Sequence, residues 1–325
     1  MPILEIAVNR PLPGTFHYSA ENTPPEPVGC RVSVPFGSQQ VTGMVVASGD
    51  TVPELPPGVK IRPIRRFIDT VPLIGEDSFR LADWLSRYYF CSLGQALATM
   101  VPAGIRETPL PKTGHNPEPL LALRPAQQAV FDRIRTALEK NSGEKLLLHG
   151  VTGSGKTEVY RHTALRAAEL GMGVLILIPA IALTPQTLAR FSGIFEDKIA
   201  LLHSRLTPAQ RIGQWRAIRE GRTRIAIGAR SAVFAPLPEP LCIILDEEHE
   251  QSYKAGDCPR YHARQVAFWR TRSSGCLVLG SATPSLETWY HAREGALVPL
   301  SLGERISPHP PAALRTVNIA DEAPG

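Results

Sequence analysis

Short apolar runs separated by turn residues occupy the first 70 positions of the chain. Four of these runs have the length of β-strands: Ile3 to Val8, Arg31 to Pro35, Thr42 to Ala47 and Lys60 to Ile64. Proline clusters at 24–27 and 53–57 lie between them, and such stiff segments do not fit central strands. The pattern predicts a small β domain.

The hydrophobic spacing becomes helical from Glu76 onward. Apolar side chains recur every three or four positions up to Tyr89, which predicts an amphipathic helix whose aromatic side packs on the β domain. Aromatic side chains at this spacing are core residues more often than ligand contacts. A second helix is predicted over 93–100. Residues 105–119 contain four prolines and almost nothing apolar, which predicts a linker.

After a helix that opens at Pro125, near-continuous apolar strands alternate with helices. The predicted strands are 146–149, 174–179, 199–202, 224–227, 241–245 and 276–279. This alternation indicates an α/β fold with a parallel sheet that is covered on both faces. Ligands of such sheets bind beyond the carboxyl ends of the strands. The polar clusters described below all follow strand ends.

Composition changes this picture little. A hydrophobic content of 43% and a charged content of 20% over 325 residues describe an ordinary globular protein of two domains. The apolar runs are too short to span a bilayer and the N-terminus lacks signal-peptide features, so a cytoplasmic protein without a membrane partner is expected. The net charge of +5 is weak evidence for a polyanionic partner. Five isolated cysteines predict reduced thiols and no zinc site.

A glycine-rich turn follows the first strand of the predicted sheet. Its residues fit G-x-x-x-x-G-K-T between a strand and a helix: Gly150, Val151, Thr152, Gly153, Ser154, Gly155, Lys156 and Thr157. The glycines let backbone N–H groups point inward at a helix N-terminus, which favours an oligophosphate. Lys156 would reach the β- and γ-phosphates, and the Thr157 hydroxyl would ligate Mg²⁺. An ordinary glycine turn is the alternative.

Acidic residues follow the strand 241–245 directly. Asp246 would hold Mg²⁺ through water, and Glu247 would orient and deprotonate the attacking water. The alternative is a charged loop on a solvated face. After the strand 276–279, Ser281 and Thr283 supply hydroxyl groups that can change partners on nucleotide hydrolysis, although their segment also fits a turn and helix cap.

Together these segments resemble superfamily 2 helicases, and in their order they are similar to the primosomal replication-restart helicases, the PriA family. The matching segments are GVTGSGKTEVY (150–160), LTPQT (183–187), LLHS (201–204), IGARSAVF (227–234), DEEHEQSYK (246–254), RYHAR (260–264) and GSATPSLET (280–288), with TFHYS (15–19) and GCRVSVPFG (29–37) near the N-terminus. The resemblance covers nearly all the chain. It implies a 3′-end DNA-binding domain over 1–104, a linker over 105–119, a RecA-like helicase lobe over 120–302 and a tail over 303–325.

The resemblance also implies roles for particular residues. His249, with Ser281 and Thr283, would couple the nucleotide state to DNA, and Gln127 would lie near the adenine edge. The positions for DNA contacts in the helicase lobe are Thr184, Gln186, Arg230, Ser231, Tyr253, Lys254, Arg260 and Tyr261. For the two tyrosines, core packing is an open alternative. Phe16, Tyr18 and Gly37 correspond to a pocket for a terminal nucleotide.

Four departures from the family pattern stand out. Ala180 replaces a glutamate near the DNA path, and His17 stands where the family commonly has an aspartate. The winged-helix domain of the family is expected to be absent, since only the linker occupies its place. The second helicase lobe, with its arginine finger and zinc insertion, is also expected to be absent, which would leave hydrolysis weak.

The resemblance implies an ATP-dependent 3′ to 5′ DNA helicase of replication restart that uses ATP and Mg²⁺. Its partners would be forks, single-stranded DNA and 3′ ends, together with single-stranded-DNA-binding protein and primosome components. The alternative is a non-catalytic, nucleotide-gated DNA-binding module. A translocase subunit of a restriction system is a third hypothesis, against which the fork-type N-terminal domain argues.

Overall fold

The computed structural model describes residues 1–51, 60–109, 118–195 and 198–306. The N-terminal part contains a six-stranded sheet in the order β5-β2-β1-β4-β3-β6. Its strands are β1 (Ile3–Val8), β2 (Phe16–Ser19), β3 (Arg31–Phe36), β4 (Gln39–Gly49), β5 (Arg62–Pro63) and β6 (Arg66–Phe67). The predicted proline loop at 53–57, most of the predicted linker and the tail beyond 306 lie outside the described residues.

The predicted β domain is confirmed, with differences at its short strands. β1 has the predicted bounds, whereas the predicted strand 60–64 is reduced to the two residues of β5. The strand β2 escaped prediction because its four residues carry two polar side chains. The buried side chains of β1, β3 and β4 form one apolar cluster that includes Leu4, Ile6, Val32 and Val45.

Two helices follow this sheet, α1 (Glu76–Tyr88) and α2 (Leu93–Met100). The start of α2 is fixed by a capping box, because Ser92 Oγ accepts from the Gln95 N–H and Gln95 Oε1 accepts from the Ser92 N–H. The expectation that the aromatic side of α1 packs on the β domain is wrong for Tyr89, because its hydroxyl accepts from the His262 N–H of the following lobe over 3.0 Å. The Trp84 ring, which lies outside the predicted aromatic side, stacks on Trp269 of the same lobe with 5.7 Å between the ring centroids.

The C-terminal lobe is built on a seven-stranded parallel sheet in the order β13-β7-β12-β11-β8-β10-β9. Its strands are β7 (Glu144–Gly150), β8 (Gly173–Leu177), β9 (Ile199–Leu202), β10 (Ile225–Gly228), β11 (Leu241–Leu245), β12 (Cys276–Ser281) and β13 (Val298–Leu302). The helices are α3 (Pro125–Lys140), α4 (Lys156–Glu169), α5 (Pro185–Phe195), α6 (Pro208–Arg219), α7 (Ala263–Arg270) and α8 (Leu286–Arg293). The prediction of a mostly β domain followed along the chain by a parallel-sheet lobe is confirmed. The edge strand β13 was not predicted, because Pro299 interrupts its pattern, although an edge position tolerates proline.

Apolar side chains cover both faces of this sheet. One cluster joins α3 and α4 to the sheet, with Ile134 and Val159 among its buried members. The other joins α6 and α7 to the sheet and continues into α1 and α2 of the N-terminal part, through Trp215 and Leu85 for example. The Trp215 indole N–H donates to the Leu73 carbonyl over 2.8 Å. This second cluster of the lobe therefore extends through both parts of the chain.

Among the helices that the structure describes, none combines the length and apolar character that crossing a membrane requires.

Candidate functional site

The glycine-rich turn between β7 and α4 has the backbone shape of a phosphate cradle. Gly153 and Gly155 adopt positive φ angles of 80° and 82°, which side chains with a Cβ rarely adopt. A Cβ on Gly155 would lie 2.2 Å from Gln127 Nε2 and 2.4 Å from Ile306 Cδ1. The turn therefore requires glycine both for its backbone conformation and for the space around it.

Lys156 lies at the first position of α4 and points into this turn. Its side chain is nearly buried, its ammonium donates to the Gly150 carbonyl over 2.7 Å, and its Nζ lies 3.9 Å from Glu247 Oε1. The parallel order of β7, β12 and β11 brings the carboxyl ends of these strands to one edge. The sheet topology thus brings the predicted lysine and the predicted acidic pair together.

Asp246 and Glu247 differ in their surroundings although they are adjacent. Burial, and then the neighbouring Glu247 charge, raises the pKa of Asp246 to about 6, against the opposing effects of a Tyr160 hydrogen bond and the Lys156 charge. Glu247 has a φ of 44°, an uncommon value for a residue with a side chain. This left-handed turn directs the chain away from β11 and leaves the Glu247 carboxylate facing Lys156.

A cavity of about 480 Å³ lies between the glycine-rich turn and the acidic pair. Residues 152–158 line it on one side, and Asp246 and Glu247 line it on the other. The Ser154 hydroxyl is buried without a hydrogen-bond partner in the described part of the chain. It is therefore available to form a hydrogen bond with a ligand in the cradle. These features fit a nucleotide's phosphates and a Mg²⁺ ion, which the Thr157 hydroxyl and the Asp246 carboxylate would hold.

Gln127 is buried beside the same turn. Its Nε2 donates to the carbonyls of Ser154 and Gly155, and its Oε1 accepts from the Arg124 N–H. The observed contacts support the backbone of the cradle. Contact of Gln127 with an adenine edge stays a prediction.

The third predicted segment meets the acidic segment at the end of β12. His249 Nδ1 and Ser281 Oγ share a hydrogen bond of 2.7 Å, and the Thr283 N–H donates to the same hydroxyl. Ser281 is buried and Thr283 is exposed. The juxtaposition expected for His249, Ser281 and Thr283 is thus present, and one hydroxyl connects two strand ends.

Two buried residues of this site were not singled out in the sequence. Tyr160 donates to Asp246 Oδ1 over 3.0 Å, and Glu248 is fully buried. Glu248 accepts from the Ser285 N–H over 2.7 Å and the Thr288 hydroxyl over 2.9 Å, and it is paired with Arg264. The available signals were an aromatic residue four positions after Lys156 and a third consecutive charge directly after a buried strand.

Tyr253 and Tyr261 are core residues, so the expectation that they stack on DNA is corrected. Tyr253 is fully buried and donates to the Asp246 carbonyl over 2.7 Å. Tyr261 is 3% exposed and packs edge-on against Phe234, with 4.7 Å between the centroids. Neither ring has a free face for a base. Lys254 and Arg260 of the same loop are exposed.

The other predicted DNA-contact positions of the lobe fall into two groups. Arg230 is engaged within the protein, because its guanidinium donates to the carbonyls of Ser252 and Lys254. The Thr184 hydroxyl accepts from the Thr187 N–H at the start of α5. Ser231 and Gln186 are exposed. The accessible part of this predicted surface is therefore smaller than the sequence indicated.

Phe16, Tyr18 and Gly37 converge on the turn between β3 and β4. The Phe16 ring packs edge-on against Phe36 at 5.1 Å, and the Tyr18 hydroxyl donates to the Pro35 carbonyl over 3.0 Å. Gly37 has a φ of 58° at the turn itself. Tyr18 is only 5% exposed, so it supports the turn from beneath, and its predicted direct contact with a nucleotide is corrected.

Comparison with known protein families matches each part of the chain to a different domain. Residues 5–102 match the PriA 3′DNA-binding domain (3′BD), and residues 124–290 match the DEAD/DEAH box helicase family. The second match spans just over half of the chain and includes the cradle, the acidic pair and the His249 contact. The chain belongs to the DEAD/DEAH box helicase family. Its resemblance to the PriA family is confirmed by the first match and by the relatives below.

This DEAD/DEAH box chain is similar to curated replication restart proteins. It is 39% identical to "Replication restart protein PriA" of Treponema pallidum (strain Nichols), over 99% of this chain and 50% of that protein. It is 31% identical to the protein of the same name from Haemophilus influenzae, over 94% of this chain and 52% of that protein. The chain spans about half the length of these two relatives.

Solved structures of other helicases are also similar to the DEAD/DEAH box chain. RecG bound to a three-way DNA junction aligns with a TM-score of 0.41 at 21% identity, covering 71% of this chain and 30% of RecG. The Hef helicase domain of Pyrococcus furiosus aligns with a TM-score of 0.41 at 19% identity, covering 57% of this chain and 39% of that one.

Proposed function

We propose that this chain provides the nucleotide site and the 3′-end recognition of an ATP-dependent 3′ to 5′ DNA helicase of replication restart. The approach of Lys156 Nζ to within 3.9 Å of Glu247 Oε1 carries the proposal, because it brings a phosphate-binding lysine and a candidate general base to one cavity. The division into a DNA-binding domain (1–104), a linker (105–119), a helicase lobe (120–302) and a tail (303–325) belongs to the proposal. So does its location in the cytoplasm.

The nucleotide chemistry follows from the charges around the cavity. Backbone N–H groups of the glycine turn and the Lys156 ammonium would bind the phosphate oxygens, and Thr157 and Asp246 would hold the metal. Mg²⁺, when bound, neutralises charge on the β- and γ-phosphates. Glu247 orients a water molecule and accepts its proton, which needs an ionised carboxylate at the cavity wall.

The coupling between nucleotide and DNA runs through hydrogen bonds at the strand ends. His249 and Ser281 are connected directly, and Thr283 follows Ser281 at the exposed rim. A changed charge at the γ-phosphate position alters the hydrogen bonding of His249, and Ser281 passes the change to the rim. His249, Ser281 and Thr283 thus affect DNA binding by shifting the rim of the site.

The proposed DNA surface combines an aromatic turn with exposed polar and charged groups. Phe16 and Gly37 form the site for a terminal nucleotide, with Tyr18 beneath it, while Lys254, Arg260, Gln186 and Ser231 contact the strand backbone. Arg230 acts indirectly, by holding the loop that carries Lys254. Single-stranded-DNA-binding protein and primosome components are the proposed protein partners.

Binding and turnover of the purified chain test this proposal. We expect fluorescent ATP to bind to the wild-type chain in the presence of Mg²⁺. Lys156→Ala should abolish this binding. Lys198→Ala, which changes an exposed lysine, is the control and should retain it. We also expect an oligonucleotide with a free 3′-hydroxyl to bind more tightly than one with a 3′-phosphate, and Phe16→Ala to remove that difference. Failure of the chain to bind both ligands would show the proposal to be wrong.

Turnover separates the enzyme from the alternative of a nucleotide-gated binding module. ATP hydrolysis that is stimulated by single-stranded DNA and lost in Glu247→Gln supports the enzyme. Binding of both ligands without turnover in any condition supports the module. If the chain preferred plain duplex DNA to forks, the result would favour the hypothesis of a translocase subunit of a restriction system.

A further inference from the structure

Tyr89, at the end of α1, contacts both ends of a loop in the helicase lobe. Lys254 and His262 form an isolated antiparallel bridge that closes residues 254–262 into a loop, which we name the closed loop. The Tyr89 hydroxyl accepts from the His262 N–H over 3.0 Å, and Lys254 Nζ lies 5.5 Å from the centre of the Tyr89 ring. The N-terminal part therefore contacts the base of the closed loop.

Arg230 of the helicase lobe contacts the same base. The Arg230 guanidinium donates to the Ser252 and Lys254 carbonyls, and it lies 5.9 Å from the centre of the Tyr261 ring. The Ala255 N–H donates to the Tyr261 carbonyl within the loop. The tip of the loop, including Arg260, is exposed. Tyr89 and Arg230 thus both contact the base of the loop, and its exposed tip carries Asp257 and Arg260.

The closed loop leads directly to the acidic segment. His262 Nδ1 accepts from the Arg264 N–H and so caps α7, and the Arg264 guanidinium is paired with the buried Glu248. Glu248 is two residues from Asp246 and adjacent to Glu247. A displacement of His262 therefore reaches the acidic segment through one helix cap and one buried ion pair.

Other contacts hold the two parts of the chain together independently of the Tyr89 hydroxyl. Trp84 stacks on Trp269, and the Trp215 indole N–H donates to the Leu73 carbonyl. Removal of one hydroxyl leaves this packing in place.

We propose that Tyr89 is a positioning residue that fixes the base of the closed loop against the N-terminal part, so that communication between DNA and the nucleotide site depends on this contact. The inference rests on the proposed function, because it needs a chain that binds both ligands. Tyr89 itself is not expected to contact either ligand. It acts by holding the loop and, through Arg264 and Glu248, the acidic segment.

Tyr89→Phe tests the proposal in the full 325-residue chain, with Tyr88→Phe as the matched control. Tyr88 is the adjacent residue and is 53% exposed, so its hydroxyl carries no such contact among the described residues. Two quantities are measured: amide hydrogen exchange over 254–264, and the ratio of dissociation constants for a labelled oligo-dT with and without saturating Mg²⁺ and a non-hydrolysable ATP analogue.

We expect the amide hydrogens of residues 254–264 to exchange faster in Tyr89→Phe than in the wild-type chain. The ratio of oligo-dT dissociation constants should move closer to one by about two- to tenfold, the effect of one hydrogen bond. Tyr88→Phe should change neither quantity, and nucleotide affinity without DNA should stay the same in both variants. A merely structural role would change exchange and leave the ratio unaltered, which overturns the proposal. A wild-type ratio of one also overturns it.

The failure of this inference differs from the failure of the proposed function. If the wild-type chain binds neither nucleotide nor DNA, the proposed function is wrong and this inference with it. If the wild-type chain binds both with a ratio different from one, and Tyr89→Phe has the same ratio as Tyr88→Phe, only the inference is wrong.

Discussion

Tyr160 donates a hydrogen bond of 3.0 Å to Oδ1 of Asp246, and so joins the helix that follows the glycine turn to the strand that carries the acidic pair. The tyrosine is 1% exposed, and burial, followed by the nearby Asp246 charge, raises the pKa of its hydroxyl well above the ordinary range. The hydroxyl therefore stays protonated and donates to Asp246. This contact holds the candidate metal-binding carboxylate in one orientation.

Replacement of Tyr160 by phenylalanine should weaken Mg²⁺-dependent nucleotide binding by about ten- to hundredfold at pH 7, the effect of one lost hydrogen bond to a charged group. Without the donor, the buried carboxylate loses a partner that favours its ionised form. A Mg²⁺ titration of fluorescent-nucleotide binding measures the effect, with the exposed Tyr290→Phe as control. Equal Mg²⁺ dependence in both variants would contradict the proposed role of Tyr160.

Gly280 leaves the space that the Tyr160 hydroxyl occupies. A Cβ on Gly280 would lie 1.6 Å from that oxygen and 2.7 Å from Tyr160 Cζ. Gly280→Ala should therefore lower the free energy of unfolding by about 1–3 kcal/mol, the usual cost of overpacking a core. It should also displace the Tyr160 hydroxyl from Asp246. Urea unfolding measures this cost.

The control for this variant is Gly256→Ala, since a Cβ there meets no atom within 4 Å among the described residues. Adding Tyr160→Phe to Gly280→Ala should recover part of the loss, because it removes the closest atom of the clash and leaves the Cζ contact. Strictly additive losses in the double variant would show that the two positions do not interact.

The sequence was sufficient for the fold and for the pairing of the cradle with the acidic pair. Glycine spacing, the Lys156-Thr157 pair and strand alternation are local signals, and parallel topology then brings strand ends to one edge. The strands with the weakest signals escaped prediction: β2 has two polar side chains among four residues, and β13 contains Pro299. Their positions depend on neighbours distant in the sequence.

The candidate DNA contacts were less predictable, because residue type does not reveal which way a side chain points. Tyr253 and Tyr261 were expected to stack on bases, with packing in the core as the alternative, and both are buried. Arg230 binds loop carbonyls although its charge suits a phosphate. Glu248 illustrates the converse, since its partners come from α7 and α8, far along the chain.

Replacement of Glu248 by glutamine should lower the free energy of unfolding by about 3–5 kcal/mol, because it leaves the Arg264 guanidinium without its buried counter-charge. The exposed Glu294→Gln is the control and should change stability little. Adding Arg264→Met to Glu248→Gln should restore part of the lost stability, since the uncompensated charge is removed. Chemical denaturation of the wild-type chain and these three variants measures the differences. A Glu248→Gln chain as stable as the control would contradict the buried pair.

Replacement of His262 by asparagine should make stability less dependent on pH between about 6.5 and 4. Burial, and then the nearby Arg264 and Lys254 charges, lowers the pKa of His262 to about 4, against the opposing effects of Glu248 and Glu287. Between this value and the unfolded value of 6.5, the unfolded chain binds more protons than the folded chain, so stability falls as pH falls through this range. Protonation of Nδ1 would also remove the acceptor for the Arg264 N–H.

Asparagine keeps an oxygen acceptor at this helix cap and does not titrate. Thermal unfolding midpoints of the wild-type and His262→Asn chains should therefore run parallel above pH 6.5, and the wild-type midpoint should fall more steeply below it. His291→Asn, at an exposed position, is the control and should follow the wild-type profile. If the unfolding midpoints of the wild-type and His262→Asn chains changed equally with pH between 6.5 and 4, the folded structure would not be holding His262 in its neutral form.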